Sequence, residues 1–297
     1  MTTENVTTFV APLFGFDWSG TEMQLADGLW IRSLDPEPIL TQHKDVLSDL
    51  DVAYCRQERH WLCADLPASS TLGEAEVMNL FVLALWAHKP AQVLLAYRFQ
   101  TQPAGPATRL LDRLTREHVD SEVTDADLEV ASSYLAILRK MVIASPRAKA
   151  TLLLTLHGRT AHAWQVAFIC FAAALESALT YFGERDGQIT ERLARAYVAI
   201  IDPPAERREE IHKEFKRLYG VRSKIVHEAA YDRKDAQKNL DDLAKLTDLL
   251  RSLWRVACRS EEVEQYVVGQ NSFRQTVLQK RNGLLENSAR EHSEAAR

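Results

Sequence analysis

The sequence is short of the features that most quickly assign a function. Its four cysteines, Cys55, Cys63, Cys170 and Cys258, form no CxxC pair and no zinc-knuckle spacing. They read as buried thiols of a reducing compartment rather than as a disulfide framework. Basic charge is not in excess: the net charge is −5 with histidine neutral, so any nucleic-acid contact has to come from a local patch. The first residues, MTTENVTTFVAPLFGF, lack the basic segment and apolar core of a signal peptide. The longest apolar stretch, Ala163 to Leu175, contains Gln165 and falls short of the roughly 20 residues that a bilayer span requires. These absences lead to the expectation of a cytoplasmic protein with no membrane contact. There is no Walker loop, no G-x-G-x-x-G and no G-x-S-x-G elbow. His157 and His162 are spaced as an H-x4-H pair without a nearby cysteine or acidic ligand, so no metal and no cofactor are expected.

What is present is an ordinary globular composition, 46% hydrophobic and 26% charged over 297 residues, compatible with one to three domains. The chain changes character along its length. In the first ~100 residues, Phe9 to Phe16, Gly28 to Ile31, Trp61 to Leu66 and Ala91 to Phe99 carry the aromatic and β-branched residues of strands. Asp35-Pro36-Glu37-Pro38 resembles a helix start, with apolar positions continuing to Leu50. Thr71 to His88 predicts a helix capped by Thr71, with Glu74 three residues on. Residues 1–100 are therefore expected to form an α+β domain, a candidate sensor. Thr101 to Arg109 is rich in proline and glycine and marks a linker over 101–123.

From Thr124 onward glycine and proline thin out and helical patterns dominate. Thr124 opens one helix with an acidic first turn, and Pro146 is expected to end it. A long buried helix is expected from Arg159 to Gly183, then a helix over Thr190 to Ile200 and a turn at Asp202-Pro203-Pro204. Ala205 opens the next helix, and Asp232 to Arg259 reads as an amphipathic one with a leucine stripe. The expected architecture is an α+β domain followed by an all-α bundle over 124–260, predominantly helical overall, with a polar tail over 261–297.

The informative stretch is 218–228, LYGVRSKIVHE. Ile211, Phe215, Leu218, Ile225 and Val226 define an apolar face, and Arg222 falls on it. His227 lies five residues further, about 140° around a regular helix. Two side chains so placed do not share a small target within one regular helix. A bend at Gly220 would change that angle, and a two-fold axis would bring Arg222 and His227 of two chains into one cleft. Glu176 is the second polar residue in an apolar context, within AFICFAAALESAL. It needs a partner, and Arg222 is the economical one, in a bidentate pair that would fix the guanidinium. The plainer alternative is a structural Arg222–Glu176 ion pair with His227 exposed in the last helical turn, where a cation suits the helix dipole.

The string Leu218-Tyr219, Arg222-Ser223 and Ile225-Val226-His227, with Leu175-Glu176 upstream and ITERLARAYVAI between, resembles the HEPN superfamily, in particular the Apea-like HEPN domains. The N-terminal APLFGF and LADGLWIRSL are similar to leader regions that precede such domains. The specific part covers about a third of the chain, roughly Arg159 to Cys258. Two departures stand out. Ser223 occupies a place where many HEPN nucleases carry Asn, Asp or His, and Glu228 stands where the Apea-like string often has Gly.

The resemblance implies a four- to five-helix bundle, homodimerisation, and metal-independent cleavage of RNA. In that reading the RNA 2′-OH is the nucleophile and a 2′,3′-cyclic phosphate is the product. His227 would be the general acid/base and Arg222 the phosphate clamp, with Glu176, Ser223 and Tyr219 in support. Lys213, Lys216, Arg217, Lys224, Arg233 and Lys234 would supply local positive charge, diluted by Glu209, Glu210 and Glu214. The resemblance further implies a place in a toxin or antiphage defence system. The rival reading is a non-catalytic HEPN-like module that dimerises or binds a ligand or partner.

Overall fold

The computed structural model describes residues 6–67, 70–110, 121–180, 189–227, 235–269, 277 and 279. It divides into two compact units, Met1–Ile143 and Ala144–Arg297. Helix outweighs strand, with ten helices and nine strands among the described residues. None of the described helices is long and apolar enough to cross a membrane.

The first unit is built on strands β1 (Val6–Phe14), β3 (Glu22–Ala26), β4 (Leu29–Ser33), β5 (His60–Pro67), β7 (Tyr97–Gln102) and β8 (Ala107–Arg109), in the order β3-β4-β5-β1-β7-β8. All neighbours in this sheet are antiparallel, and β6 (Leu94–Leu95) pairs with the end of β1. A short second sheet pairs β2 (Phe16–Trp18) in parallel with β9 (Ser121–Val123). Gly28 turns β3 into β4 at φ 72°, and a Cβ there would lie 2.2 Å from the Asp65 carbonyl oxygen. Only glycine meets both demands.

Residues 10–14 of β1 and 60–64 of β5 are buried without alternation. Such runs occur where both faces of a sheet are covered. On one face, α1 (Glu37–Gln42) and α2 (Asp49–Gln57) bring Leu40 and Cys55 against Val10, Phe14, Trp61, Tyr97 and Phe99. Helix α3 (Glu74–His88) packs against β5 and is apolar all round, with Leu80, Phe81, Leu83, Ala84 and Leu85 fully buried. Inside this core, burial pushes the Cys55 and Cys63 thiols up to about 12, so both stay protonated and inert.

Several boundaries differ from the sequence reading, each for a local reason. The helix expected to run on to Leu50 ends at Gln42. Ser48 starts α2 instead, through a reciprocal capping box with Asp51 at 3.2 and 3.1 Å. The cap of α3 falls two residues later than expected: Gly73 is the N-cap, and its N–H donates to Glu76 at 3.2 Å. The proline- and glycine-rich Thr101 to Arg109 is the β7–β8 hairpin, where proline and glycine are turn chemistry, so the expected linker 101–123 begins inside the sheet.

Helix α4 (Asp125–Ala144), expected to open the bundle, belongs to the first unit up to Ile143. Long-range hydrogen bonds hold it there. The Trp18 indole donates to Asp125 at 2.7 Å, and the Ser132 hydroxyl donates to the Leu25 carbonyl. At its N-terminus Thr124 and Asp127 cap one another at 3.0 and 3.2 Å, while Asp127 also takes His88 and Lys89 at 2.8 Å.

The second unit comprises α5 (Pro146–Thr160), α6 (Trp164–Leu179), α7 (Ile189–Ile201), α8 (Ala205–His227), α9 (Ala236–Ala257) and α10 (Glu261–Val268). Pro146 begins α5 rather than merely ending α4, because Ser145 caps the helix and proline suits its first turn. The single helix expected from Arg159 to Gly183 is two elements. α5 ends at Thr160, extended Ala161 and Ala163 turn the chain, and α6 ends at Leu179, while Gly183 lies outside the described residues. Gly158 lets the two helices meet, since a Cβ there would sit 2.5 Å from the Phe171 ring.

The end of α6 is closed by side chains. Arg147 donates to the Ser177 carbonyl at 2.6 Å and to that of Ala178, and Tyr266 donates to the Leu179 carbonyl at 2.9 Å. These satisfy carbonyls that have no partner within the helix. Tyr266, Val263 and Val267 of α10 are buried, so the expected polar tail starts with a packed helix; the tail from Gln270 lies almost wholly outside the described residues.

Asp127→Ala removes a helix cap together with the acceptor for His88 and Lys89. It is expected to destabilise the first unit by about 2 kcal/mol, read as a lower urea midpoint at unchanged m value.

Candidate functional site

Helices α6 and α8 bring Glu176, Tyr219 and Arg222 together. α6 is buried along most of its length because Phe168, Phe171, Ala172, Leu175 and Ala178 face the core. Glu176 sits at its half-exposed edge, one turn before the closed C-terminus. On α8, Phe215, Leu218 and Tyr219 are buried and anchor the helix. The Tyr219 hydroxyl donates to Glu176 Oε2 at 2.7 Å, and Arg222 Nη2 approaches that same oxygen at 3.7 Å. The side chains of Glu176 and Arg222 remain 30% and 27% exposed. The expected Glu176–Arg222 pair thus forms, but as one ion-pair contact rather than a bidentate fork, because Tyr219 occupies the carboxylate.

The guanidinium carbon lies 5.6 Å from the centre of the Tyr219 ring, one turn back on the same helix. Arg222 Nε is buried with no hydrogen-bond partner among the described residues. Burial, and then the hydrogen bond to Glu176, raise the Tyr219 pKa, so the phenol stays a neutral donor.

The other expected site residues are not gathered here. His227 is exposed in the last turn of α8 and Ser223 is exposed. α8 runs unbroken through Gly220, so the bend that would have brought Arg222 and His227 together within one chain is not made. Five helical residues separate them by about 140° and about 7.5 Å of rise. Val226, expected on the apolar face, is 43% exposed, and beyond Gly220 no described residue of α8 is buried. Glu228, Arg233 and Lys234 lie outside the described residues.

Much of the expected basic patch is neutralised. Lys213 pairs with Glu209 at 3.0 Å, and Arg217 forks between Glu214 and Asp242 at 2.7 to 3.0 Å. Lys216 pairs with Glu191 of α7 at 2.6 Å. Glu191 is a centre that the sequence reading missed: it also accepts from Arg195 at 2.5 Å and contacts His212 at 3.1 Å. The signal was present as two i,i+4 pairs, Glu191/Arg195 and His212/Lys216, on helices joined by a short turn. Among the described residues, no group of three or more His, Cys, Asp and Glu side chains could hold a metal ion.

Comparison with models of known protein families, with curated proteins and with solved structures gives no match to this chain.

Partial burial pushes the Glu191 carboxyl up, but Lys216, Arg195 and His212 outweigh it and bring it down to about 2 from the ordinary 4.5. A carboxylate depressed on folding stabilises the native state above its unfolded pKa and loses that contribution as pH falls through the folded one. Wild type is therefore expected to lose more stability than Glu191→Gln between about pH 4.5 and pH 2, which chemical denaturation across that range measures.

Proposed function

We propose that the second unit is a HEPN-like helical bundle that acts as a metal-independent endoribonuclease, with its site assembled across a homodimer. One observation carries this reading: Arg222 is held against Glu176 and Tyr219 at a partly exposed edge, where its ion-pair contact to the carboxylate is long, at 3.7 Å. A fixed guanidinium with N–H groups to spare suits the oxygens of a phosphodiester. RNA brings its own nucleophile in the 2′-OH, and a histidine moves the proton. His227, exposed on the same helix but about 140° away, serves the Arg222 of a second chain across a two-fold axis. The exposed Val226 beside it supplies apolar surface for that contact. Ser223 is a further donor toward the phosphate. A role in toxin or antiphage defence follows from the family likeness of the same residues.

A second reading keeps the bundle as a non-catalytic module that dimerises or binds a partner. The pairing of Lys213, Lys216 and Arg217 with carboxylates favours it, because little unpaired positive charge is left along the first part of α8 to attract RNA.

The deciding measurement is cleavage of end-labelled single-stranded RNA in EDTA. Wild type is expected to yield 2′,3′-cyclic phosphate ends. His227→Ala and Arg222→Ala, checked for retained fold, are each expected to lose about a hundredfold or more. Mixing the two inactive variants restores cleavage if the site is composite, since one of the two clefts in a mixed dimer is then intact. Cleavage that survives His227→Ala rejects His227 as the general acid/base, and no cleavage by wild type over a range of RNAs rejects the nuclease in favour of the module.

A further inference from the structure

One oxygen, Glu176 Oε2, is shared by two α8 side chains, and it is shared unequally. The Tyr219 hydroxyl takes it at 2.7 Å, within hydrogen-bond range, while Arg222 Nη2 stands at 3.7 Å, beyond it. Tyr219 is buried at 8% exposure and lies one turn behind Arg222, so its hydroxyl reaches Glu176 from a fixed direction. The guanidinium remains attracted to the carboxylate but is not hydrogen-bonded to it, and because its Nε is buried, the exposed part of the side chain lies elsewhere.

We propose that Glu176 is an internal counterion which a phosphodiester oxygen displaces from Arg222, and that Tyr219 is the positioning residue that makes this exchange possible by holding Glu176 back from the guanidinium. The proposal rests on the reading of Arg222 as a phosphate clamp. In the resting state the carboxylate balances the arginine's charge without filling its donor positions. An arriving phosphate meets a guanidinium that is already oriented and has only one long ion-pair contact to break. The ligand class is an oxoanion of the phosphodiester type, whose geometry matches the planar fork.

The exchange predicts opposite effects from two neighbouring substitutions. Glu176→Gln removes the competing charge, yet the amide oxygen still accepts from Tyr219, so phosphate binding tightens about fivefold. Tyr219→Phe frees Glu176 to close on Arg222, so binding weakens by a similar factor. In the double variant no carboxylate remains to be held, and binding returns to that of Glu176→Gln.

The full-length chain is titrated with inorganic phosphate and with a short 2′-O-methyl RNA that cannot be cleaved by its own 2′-OH. RNA binding is followed by fluorescence anisotropy in every variant, phosphate binding at the arginine Nε–Hε resonances assigned with Arg222→Lys, and folding by thermal melts. Opposite shifts in the two single variants, with recovery in the double, establish the exchange. Weakening in both single variants, or no recovery in the double, shows a structural role for Tyr219 and overturns the proposal while leaving the clamp intact. Equal RNA binding by wild type and Arg222→Lys or Arg222→Ala overturns the clamp itself. Absence of binding by both wild type and Glu176→Gln overturns both.

Discussion

The second unit depends on the closing of one helix end. α6 is its most apolar helix, and the last carbonyls of such a helix are costly when buried without donors. Arg147 reaches across from α5 to two of them and Tyr266 from α10 to a third. α5, α6 and α10 are thereby tied at one point. Glu176 lies just before that point, so its position is set by backbone hydrogen bonding rather than by its own charge. The carboxylate can then be spent on α8 without holding the fold together.

The second unit handles charge by local compensation. Glu191 gathers Arg195, His212 and Lys216, while Glu214 and Asp242 take Arg217, and Lys245 joins Glu214 at 3.1 Å. These pairs lock α7 and α9 onto α8 and engage Lys216 and Arg217 of the basic residues that the sequence displays there. Arg222 differs from Arg217 in this respect. Arg217 has four short bonds to two carboxylates, whereas Arg222 has one long contact to a carboxylate already engaged. Two arginines five residues apart on one helix thus serve as brace and as open donor.

Much of this was readable from the chain. Strands near Phe9 to Phe16 and Trp61 to Leu66, the helix from Ala205 and the meeting of Glu176 with Arg222 all follow from period, capping and the need to pair a polar group in apolar company. The failures also have physical causes. No proline or glycine marks the α5–α6 turn at Ala161-His162-Ala163, so two helices read as one. The hairpin at Thr101 to Arg109 uses residues that equally suit a linker, and only strand pairing across the sheet distinguishes them. The membership of α4 rests on Trp18–Asp125 and Ser132–Leu25, contacts 107 positions apart that no local pattern encodes. At the site, the capture of Glu176 by Tyr219 rather than Arg222 is a competition decided by ångströms. Spacing reveals who is near, not who wins.

Gly220 lies between the anchored and the unburied parts of α8. A Cβ there would meet nothing within 4 Å, so neither packing nor a left-handed backbone requires glycine at this place. In a helix interior it weakens the helix by about 1 kcal/mol relative to alanine. Upstream, Phe215, Leu218 and Tyr219 resist local opening through their burial; downstream, residues 221–227 hold no such anchor. α8 is therefore two segments of unequal cooperativity, and the boundary separates Tyr219 from Arg222. Arg222 stays tied to α6 through Glu176 across that boundary, so a surface docking on the last turn would add order chiefly around the exposed His227.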